Sequence, residues 1–148
     1  MIVGFTGTRQ GMTGLQRDNL SKLLDGLGDL VHEFHHGDCV GADSQAHDAA
    51  CKRSIQIVIH PGNDPKTRAW RDSDRVAHPR PMLSRNRDIV DASDLLIAAP
   101  NTPERLHSGT WSTIRYAIRR GVRYYILHPD GSLTTTNTQE DLNAKHSD

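Results

Sequence analysis

The sequence has few cysteines and aromatic residues, no excess charge and no long apolar run. Cys39 and Cys51 are too few for a disulfide scaffold and match no metal-ligand spacing, which favours a reducing, cytoplasmic setting. The 18 basic and 18 acidic side chains cancel, so we expect no electrostatic attraction to nucleic acid or to a membrane surface. We expect neither a signal peptide nor a membrane-spanning segment. A chain of 148 residues is long enough for one domain with a substantial core.

Five short apolar segments alternate with helical patterns along the chain. The segments lie at residues 1–5, 29–36, 54–60, 94–100 and 122–128. This alternation predicts an α/β fold of the Rossmann-like, doubly wound type, with about five mostly parallel strands and helices on both faces. We expect residues 1–131 to form the domain. The polar residues 132–148 are predicted to be a C-terminal tail, either frayed or laid across a partner subunit.

Two turns at predicted strand ends have the composition of a phosphate site. Residues 108–110, Ser-Gly-Thr, open a helix after the strand at 94–100. Free backbone N–H groups, hydroxyls and the positive end of the helix dipole would bind phosphate there, although an ordinary helix N-cap explains the same residues equally well. The first strand runs into residues 6–9, Thr-Gly-Thr-Arg, and ligands of parallel sheets bind beyond such carboxyl ends.

Two further features each allow two interpretations. Asp43 stands at the start of an Ala-rich helix, where a carboxylate either caps the helix or accepts hydrogen bonds from a ribose. The long connection at 61–81 is either a solvated surface or a lid whose arginines close over phosphates while an aromatic ring stacks on a base. Its arginines and its ring are Arg68, Arg71, Arg75, Arg80 and Trp70.

A cluster of possible metal ligands lies near the end of the second predicted strand. Successive side chains of a strand point to opposite faces, so His35 and His36 cannot both face one ion. The cluster also matches no known ligand spacing, and we therefore expect neither a metal nor a cofactor. Its members are His32, His35, His36, Asp38 and Cys39.

Four segments in this order resemble the SLOG superfamily, a Rossmann-like group that includes DprA, the LOG-type nucleotide phosphoribohydrolases and the YpsA-like proteins. Residues 4–9 are similar to its Gly-Ser-Arg turn after strand one, and residues 36–47 to its Gly-x-Asp…Ala-His segment. Residues 85–90 match its Arg-Asn-Arg-x-Ile element, and residues 108–117 its phosphate-receiving segment. The resemblance covers residues 1–131 and is greatest to the small stand-alone YpsA-related proteins.

The resemblance implies a pocket for a nucleotide-derived ligand at the carboxyl edge of the sheet. Members of the superfamily often form dimers or tetramers, which implies a homo-oligomer with a site near a subunit interface. Arg85 and Arg87 cannot share a helical face, so one of them at most points into the pocket. The implied binding residues are Thr6, Gly7, Thr8, Arg9, Gly41, Asp43, Arg85, Ser108, Gly109, Thr110 and Trp111.

Three functions follow from the resemblance. LOG-type hydrolases have a catalytic Glu at the position where this chain has Thr113, so we favour a protein that senses or sequesters an ADP-ribose-like or cyclic nucleotide, as a phage-encoded sponge would. The alternative is a nucleoside monophosphate N-glycosidase or phosphoribohydrolase that uses a relocated carboxylate, with Asp43 and Arg85 as its candidate catalytic residues. Asp38 and Glu104 are other possible carboxylates. A DprA-like single-strand DNA binder is third, because such a protein needs a basic groove with stacking rings, whereas this chain has no net charge and 5% aromatic residues; a basic stripe within residues 66–87 would favour it.

Overall fold

Residues 2–7 form the central strand of the sheet because they are largely buried toward both of its faces. Such strands belong to parallel sheets that helices cover on both sides. The computed structural model describes residues 1–136, which form seven strands and four α-helices. The strands are β1 (Ile2–Gly7), β2 (Glu33–His36), β3 (Gln56–Ile59), β4 (Arg75–Val76), β5 (Leu95–Ala99), β6 (Arg123–Leu127) and β7 (Leu133–Thr135); the helices are α1 (Gly14–Leu27), α2 (Ala42–Lys52), α3 (Met82–Ala92) and α4 (Gly109–Arg120).

The sheet has the order β4-β3-β2-β1-β5-β6-β7. Neighbouring strands are parallel, except that β7 is antiparallel to β6. The chain leaves β1 toward β2 on one side and later places β5 on the other side, so the strand order reverses at β1. Ligands of open parallel sheets bind at such a reversal, beyond the carboxyl ends of the strands. The predicted Rossmann-like α/β fold is confirmed.

Each face of the sheet is covered by two helices. On one face, α1 and α2 pack over Phe5 and Phe34, and α2 lies close to the sheet because it presents small residues such as Ala46. On the other face, α3 and α4 pack over Leu96 and Ala98. None of the helices within residues 1–136 is long and apolar enough to cross a bilayer.

The sheet has two short strands more than the predicted five. β4 consists of two exposed residues inside the predicted 61–81 connection, where no apolar alternation marks it. β7 lies within the stretch predicted to be a tail and is held by Thr136, whose Oγ1 accepts a hydrogen bond from the Tyr124 N–H (2.8 Å). Neither strand was predicted, because these edge strands bury little apolar surface and so leave no apolar pattern in the sequence. The rest of the predicted tail, residues 137–148, lies outside the described residues.

Candidate functional site

A cavity of about 370 Å³ lies where the strand order reverses, between the carboxyl ends of β1 and β5. Its volume falls within the range of small-molecule sites. Every binding residue implied by the sequence lines this cavity except Gly41 and Trp111. Other residues that line it are Gln10, Cys39, Met82, Asn86, Asn101, Arg105 and His107.

Gly41 and Trp111 do not line the cavity and instead support the elements around it. A Cβ atom at Gly41 would lie 2.2 Å from the carbonyl oxygen of Arg9, and the residue has a φ of 90°, so only glycine fits this close approach. The Trp111 ring packs in the core beneath α4, and its Nε1–H donates to the carbonyl oxygen of Thr102 (3.0 Å). These two residues were expected to line the same pocket as the others, and in the structure they lie outside this first cavity.

The start of α4 is both a capped helix end and a wall of the cavity. Ser108 Oγ accepts a hydrogen bond from the N–H of Trp111 (3.3 Å), which is the ordinary N-cap. Gly109 and Thr110 lie in the first turn, where backbone N–H groups have no acceptor within the helix. Both residues line the cavity, and a Cβ at Gly109 would meet open space. This turn is therefore an ordinary helix N-cap and also has first-turn residues at the cavity, as a phosphate-binding turn would.

Three arginines line the cavity, in two different environments. Arg85 is buried, and its Nη1 donates to the carbonyl oxygens of Gly37 (2.7 Å) and His60 (3.1 Å). Arg9 and Arg105 are exposed, and neither forms an ion pair with a carboxylate among the described residues. Arg85 is thus a structural part of the wall, whereas Arg9 and Arg105 are free to bind an anion.

Asp43 supplies the one carboxyl group among the described cavity-lining residues. Its Oδ2 accepts hydrogen bonds from the backbone N–H groups of Gly37 (3.1 Å) and Cys39 (3.2 Å). Burial raises the pKa of this carboxyl from 3.8 to about 6, and those bonds together with the nearby Arg85 charge limit the rise. Asp43 is the second residue of α2, one position past the first helical residue, and Gly41 is at the N-cap. Its carboxylate therefore links the loop after β2 to the first turn of α2.

The Thr113 side chain has no access to the cavity. Its Oγ1 donates to the carbonyl oxygen of Gly109 (2.8 Å), within its own helix. Of the other carboxylates considered as substitutes, Asp38 is fully buried and accepts from Arg68 Nε (3.0 Å), and Glu104 does not line the cavity. Of the carboxylates considered as substitutes, Asp43 alone lines the cavity.

The arginines of residues 61–81 do not form a lid over the cavity. Each of the four pairs with a carboxylate outside it: Arg68 with Asp38, Arg71 with Asp48, Arg75 with Glu33 and Arg80 with Asp88. The exposed Trp70 ring stacks on the Arg68 guanidinium, 3.8 Å from its centroid, and does not line the cavity. In this structure partners distant in sequence pair with these cations, which favours the solvated-surface interpretation of the loop. The same ion pairs involve four of the seven basic side chains in residues 66–87, the stripe that a DNA binder would need.

The histidines of β2 are part of buried side-chain pairs. His36 Nε2 lies 3.0 Å from His47 Nδ1, and His35 Nδ1 lies 2.8 Å from His60 Nε2. His36 Nδ1 accepts from the N–H of Asp38 (2.9 Å), so the neutral ring donates from Nε2. Burial lowers the pKa of His36 to about 3. Within residues 1–136 no group of three or more His, Cys, Asp or Glu side chains is arranged to hold a metal ion.

The fold and the cavity define a Rossmann-like protein with a cationic site at the reversal of its strand order. Similar solved structures are the molybdenum cofactor binding protein of Rippkaea orientalis (17% identity, TM-score 0.68, covering 96% of this chain and 80% of that chain), TM1055 (13%, 0.61, 83% and 71%) and DNA processing protein A of Helicobacter pylori (19%, 0.63, 98% and 72%). At these identities the likeness shows the fold alone, and this fold is the one expected from the resemblance to the SLOG superfamily. No protein-family model and no curated protein sequence matches the chain.

Proposed function

We propose that this protein binds a nucleotide-derived anion in the cavity between β1 and β5 and holds it without turnover, to sense or sequester it. One observation supports this most: three arginines and the first turn of α4 line the cavity, against a single buried carboxyl. Cations and orphan N–H groups that converge on one space stabilise phosphate. An ADP-ribose-like or cyclic nucleotide has the required charge.

The polar groups divide into two kinds along the cavity wall. Arg9, Arg105 and the N–H groups of Gly109 and Thr110 are suited to phosphate oxygens. Asp43 already uses Oδ2 for two backbone N–H groups, so Oδ1 is the oxygen available to a ribose hydroxyl. The ligand class that satisfies both kinds is a ribose that bears phosphate.

Absence of turnover is proposed because the catalytic position of the LOG-type motif holds Thr113. A neutral hydroxyl bonded within its helix neither stabilises an oxocarbenium ion nor accepts a proton near neutral pH. Binding and catalysis are therefore separable in this chain.

Arg9→Ala and Arg105→Ala should each weaken phosphate-ligand binding by about tenfold to a hundredfold, because each removes a charge-assisted bond worth roughly 1.5–3 kcal/mol. Mass spectrometry of the denatured protein first shows whether a ligand co-purifies and occupies the site. Isothermal titration with ADP-ribose and AMP then measures the loss of affinity. Arg17→Ala, an exposed arginine on α1, is the matched control and should bind like the wild type. Unchanged affinity in both cavity variants would reject the site.

A second candidate function rests on Asp43. A carboxyl with a pKa of about 6 in a ligand cavity has the proton affinity of a general acid or base, so N-glycosidic hydrolysis by a relocated carboxylate is the alternative. Chromatography of AMP after incubation with the protein tests it. Hydrolysis requires free adenine and ribose 5-phosphate in equal amounts, and Asp43→Asn should abolish their release. Absence of free base with the wild type would reject hydrolysis of this substrate.

A further inference from the structure

A second cavity, of about 430 Å³, opens beside the first at the same edge of the sheet. Asn101 lines both cavities, and the second extends from there to the turn after β6, around Pro129. Neighbouring strands lie about 4.8 Å apart, so cavities at the ends of β1, β5 and β6 are separated by roughly 10 Å or less. A single small molecule can therefore reach both.

The second cavity differs from the first in charge and in polarity. Its wall includes Trp111, Pro103 and Pro129. It has two carboxylates: Glu104, which forms an ion pair with Arg115 (3.5 Å), and Asp130, whose Oδ1 accepts from Ser132 and whose Oδ2 has no such bond among the described residues. No arginine or lysine of the described residues lines it. The first cavity has the opposite character, with three arginines. Phosphate is thus favoured in the first space, and a flat ring that carries N–H donors is favoured in the second.

Thr102 is an independent pointer to a ligand in the second cavity. Its Oγ1 is the one buried side-chain oxygen or nitrogen within residues 1–136 that has no hydrogen-bond partner. Unsatisfied buried hydroxyls are costly and uncommon in folded proteins. Thr102 lines the second cavity, and its carbonyl oxygen already holds the Trp111 ring in place. A ligand group would supply the missing partner after a small shift of this loop.

We propose that the second cavity binds the amino-bearing base of the ligand whose phosphate lies in the first cavity. This inference rests on the proposed function and names its ligand class more closely: a nucleotide with an exocyclic amino group, such as an adenine nucleotide. The amino group donates to the carboxylate side of the cavity. The ring lies among Trp111, Pro103 and Pro129, and the phosphate remains at Arg9, Arg105 and α4.

Three probes separate the two cavities by isothermal titration. Ribose 5-phosphate has the anion without a base, AMP adds a ring with an amino group, and IMP replaces that group with an acceptor oxygen. We expect AMP to bind at least tenfold more tightly than ribose 5-phosphate and at least threefold more tightly than IMP. Equal affinity for AMP and ribose 5-phosphate would overturn the second-cavity proposal and leave the first cavity intact.

Two variants test the wall directly. Ser132→Trp should fill the second cavity, so that AMP affinity falls to that of ribose 5-phosphate while ribose 5-phosphate binding is unchanged. Thr102→Val removes only the unpartnered hydroxyl: the melting temperature should be unchanged or higher, and AMP affinity should fall about threefold. If either variant lost the same affinity for AMP as for ribose 5-phosphate, its effect would not be on a base in the second cavity, and the proposal would be overturned. If Arg9→Ala and Arg105→Ala also leave ribose 5-phosphate binding unchanged, both proposals fall.

Discussion

Arg85→Ala is expected to lower the free energy of unfolding by about 3–5 kcal/mol, because each buried acceptor left without its donor costs roughly 1–3 kcal/mol and a cavity remains. The guanidinium donates to Gly37 O and His60 O, and its Nε donates to Asn86 Oδ1 (2.7 Å). These bonds tie α3 to the ends of β2 and β3. Urea unfolding monitored by circular dichroism measures the change.

The control for Arg85 is on the same helix. Arg87 is exposed, and its guanidinium lies 5.3 Å from the centre of the Tyr116 ring, so Arg87→Ala should cost less than about 1 kcal/mol. Arg85→Lys keeps the charge but loses the planar fork, and its stability should lie between that of Arg85→Ala and the wild type. Equal stability of Arg85→Ala and Arg87→Ala would show that Arg85 is not a structural residue.

This result also governs how ligand binding is tested. The resemblance implies that Arg85 is a binding residue, and Arg85 does line the cavity. Its bonds, however, are to backbone oxygens of the protein itself. A loss of ligand affinity in Arg85→Ala would therefore combine a missing contact with a disturbed wall. Arg9 and Arg105 are the informative positions because their removal leaves no buried acceptor behind.

The sequence predicted those parts of the site that depend on local pattern. The turns at residues 6–9 and 108–110 follow apolar strands, and the carboxyl ends of parallel strands meet at one edge, so their convergence could be expected. Arg105 and His107 were missed although they lie in the connection between β5 and α4. The rule that loops at this edge form the site was the available signal.

The predictions that the structure does not support depend on contacts between residues distant in sequence. Arg68 is bound by Asp38 and Arg75 by Glu33, and neither partner can be assigned from the sequence of the loop itself. Trp111 illustrates the same limit. Its position at the start of α4 suits a contact in the first cavity, but the helix turns its ring away from that cavity, into the core and the wall of the second cavity. Apolar rings in small domains are more often core than ligand contact.

Acidification should destabilise the protein through His36 by about 3 kcal/mol between pH 7 and pH 4. Burial holds the pKa of this ring at about 3 in the folded chain, below the ordinary 6.5, so the unfolded chain binds its proton first. The stability is therefore fully present above pH 6.5 and is lost as pH falls toward 3. Urea unfolding at intervals of half a pH unit measures it. His36→Gln, which cannot titrate but keeps a donor and an acceptor, should show a shallower acid loss than the wild type.

Asp43 should change the stability in the opposite direction on acidification, so a variant of it shows which group causes the acid loss. Its folded pKa of about 6 lies above the ordinary 3.8, so its contribution to stability increases as pH falls from 6 toward 4, by about 2 kcal/mol. Asp43→Asn removes that gain and should make the acid loss steeper than in the wild type, whereas His36→Gln makes it shallower. Identical slopes in the two variants would mean that neither group governs acid stability. A shallower acid loss in His36→Gln together with a steeper one in Asp43→Asn would show that burial lowers the pKa of the histidine and raises that of the carboxyl. The Asp43 carboxyl would then gain and lose its proton near pH 6, where a bound ligand can change its protonation.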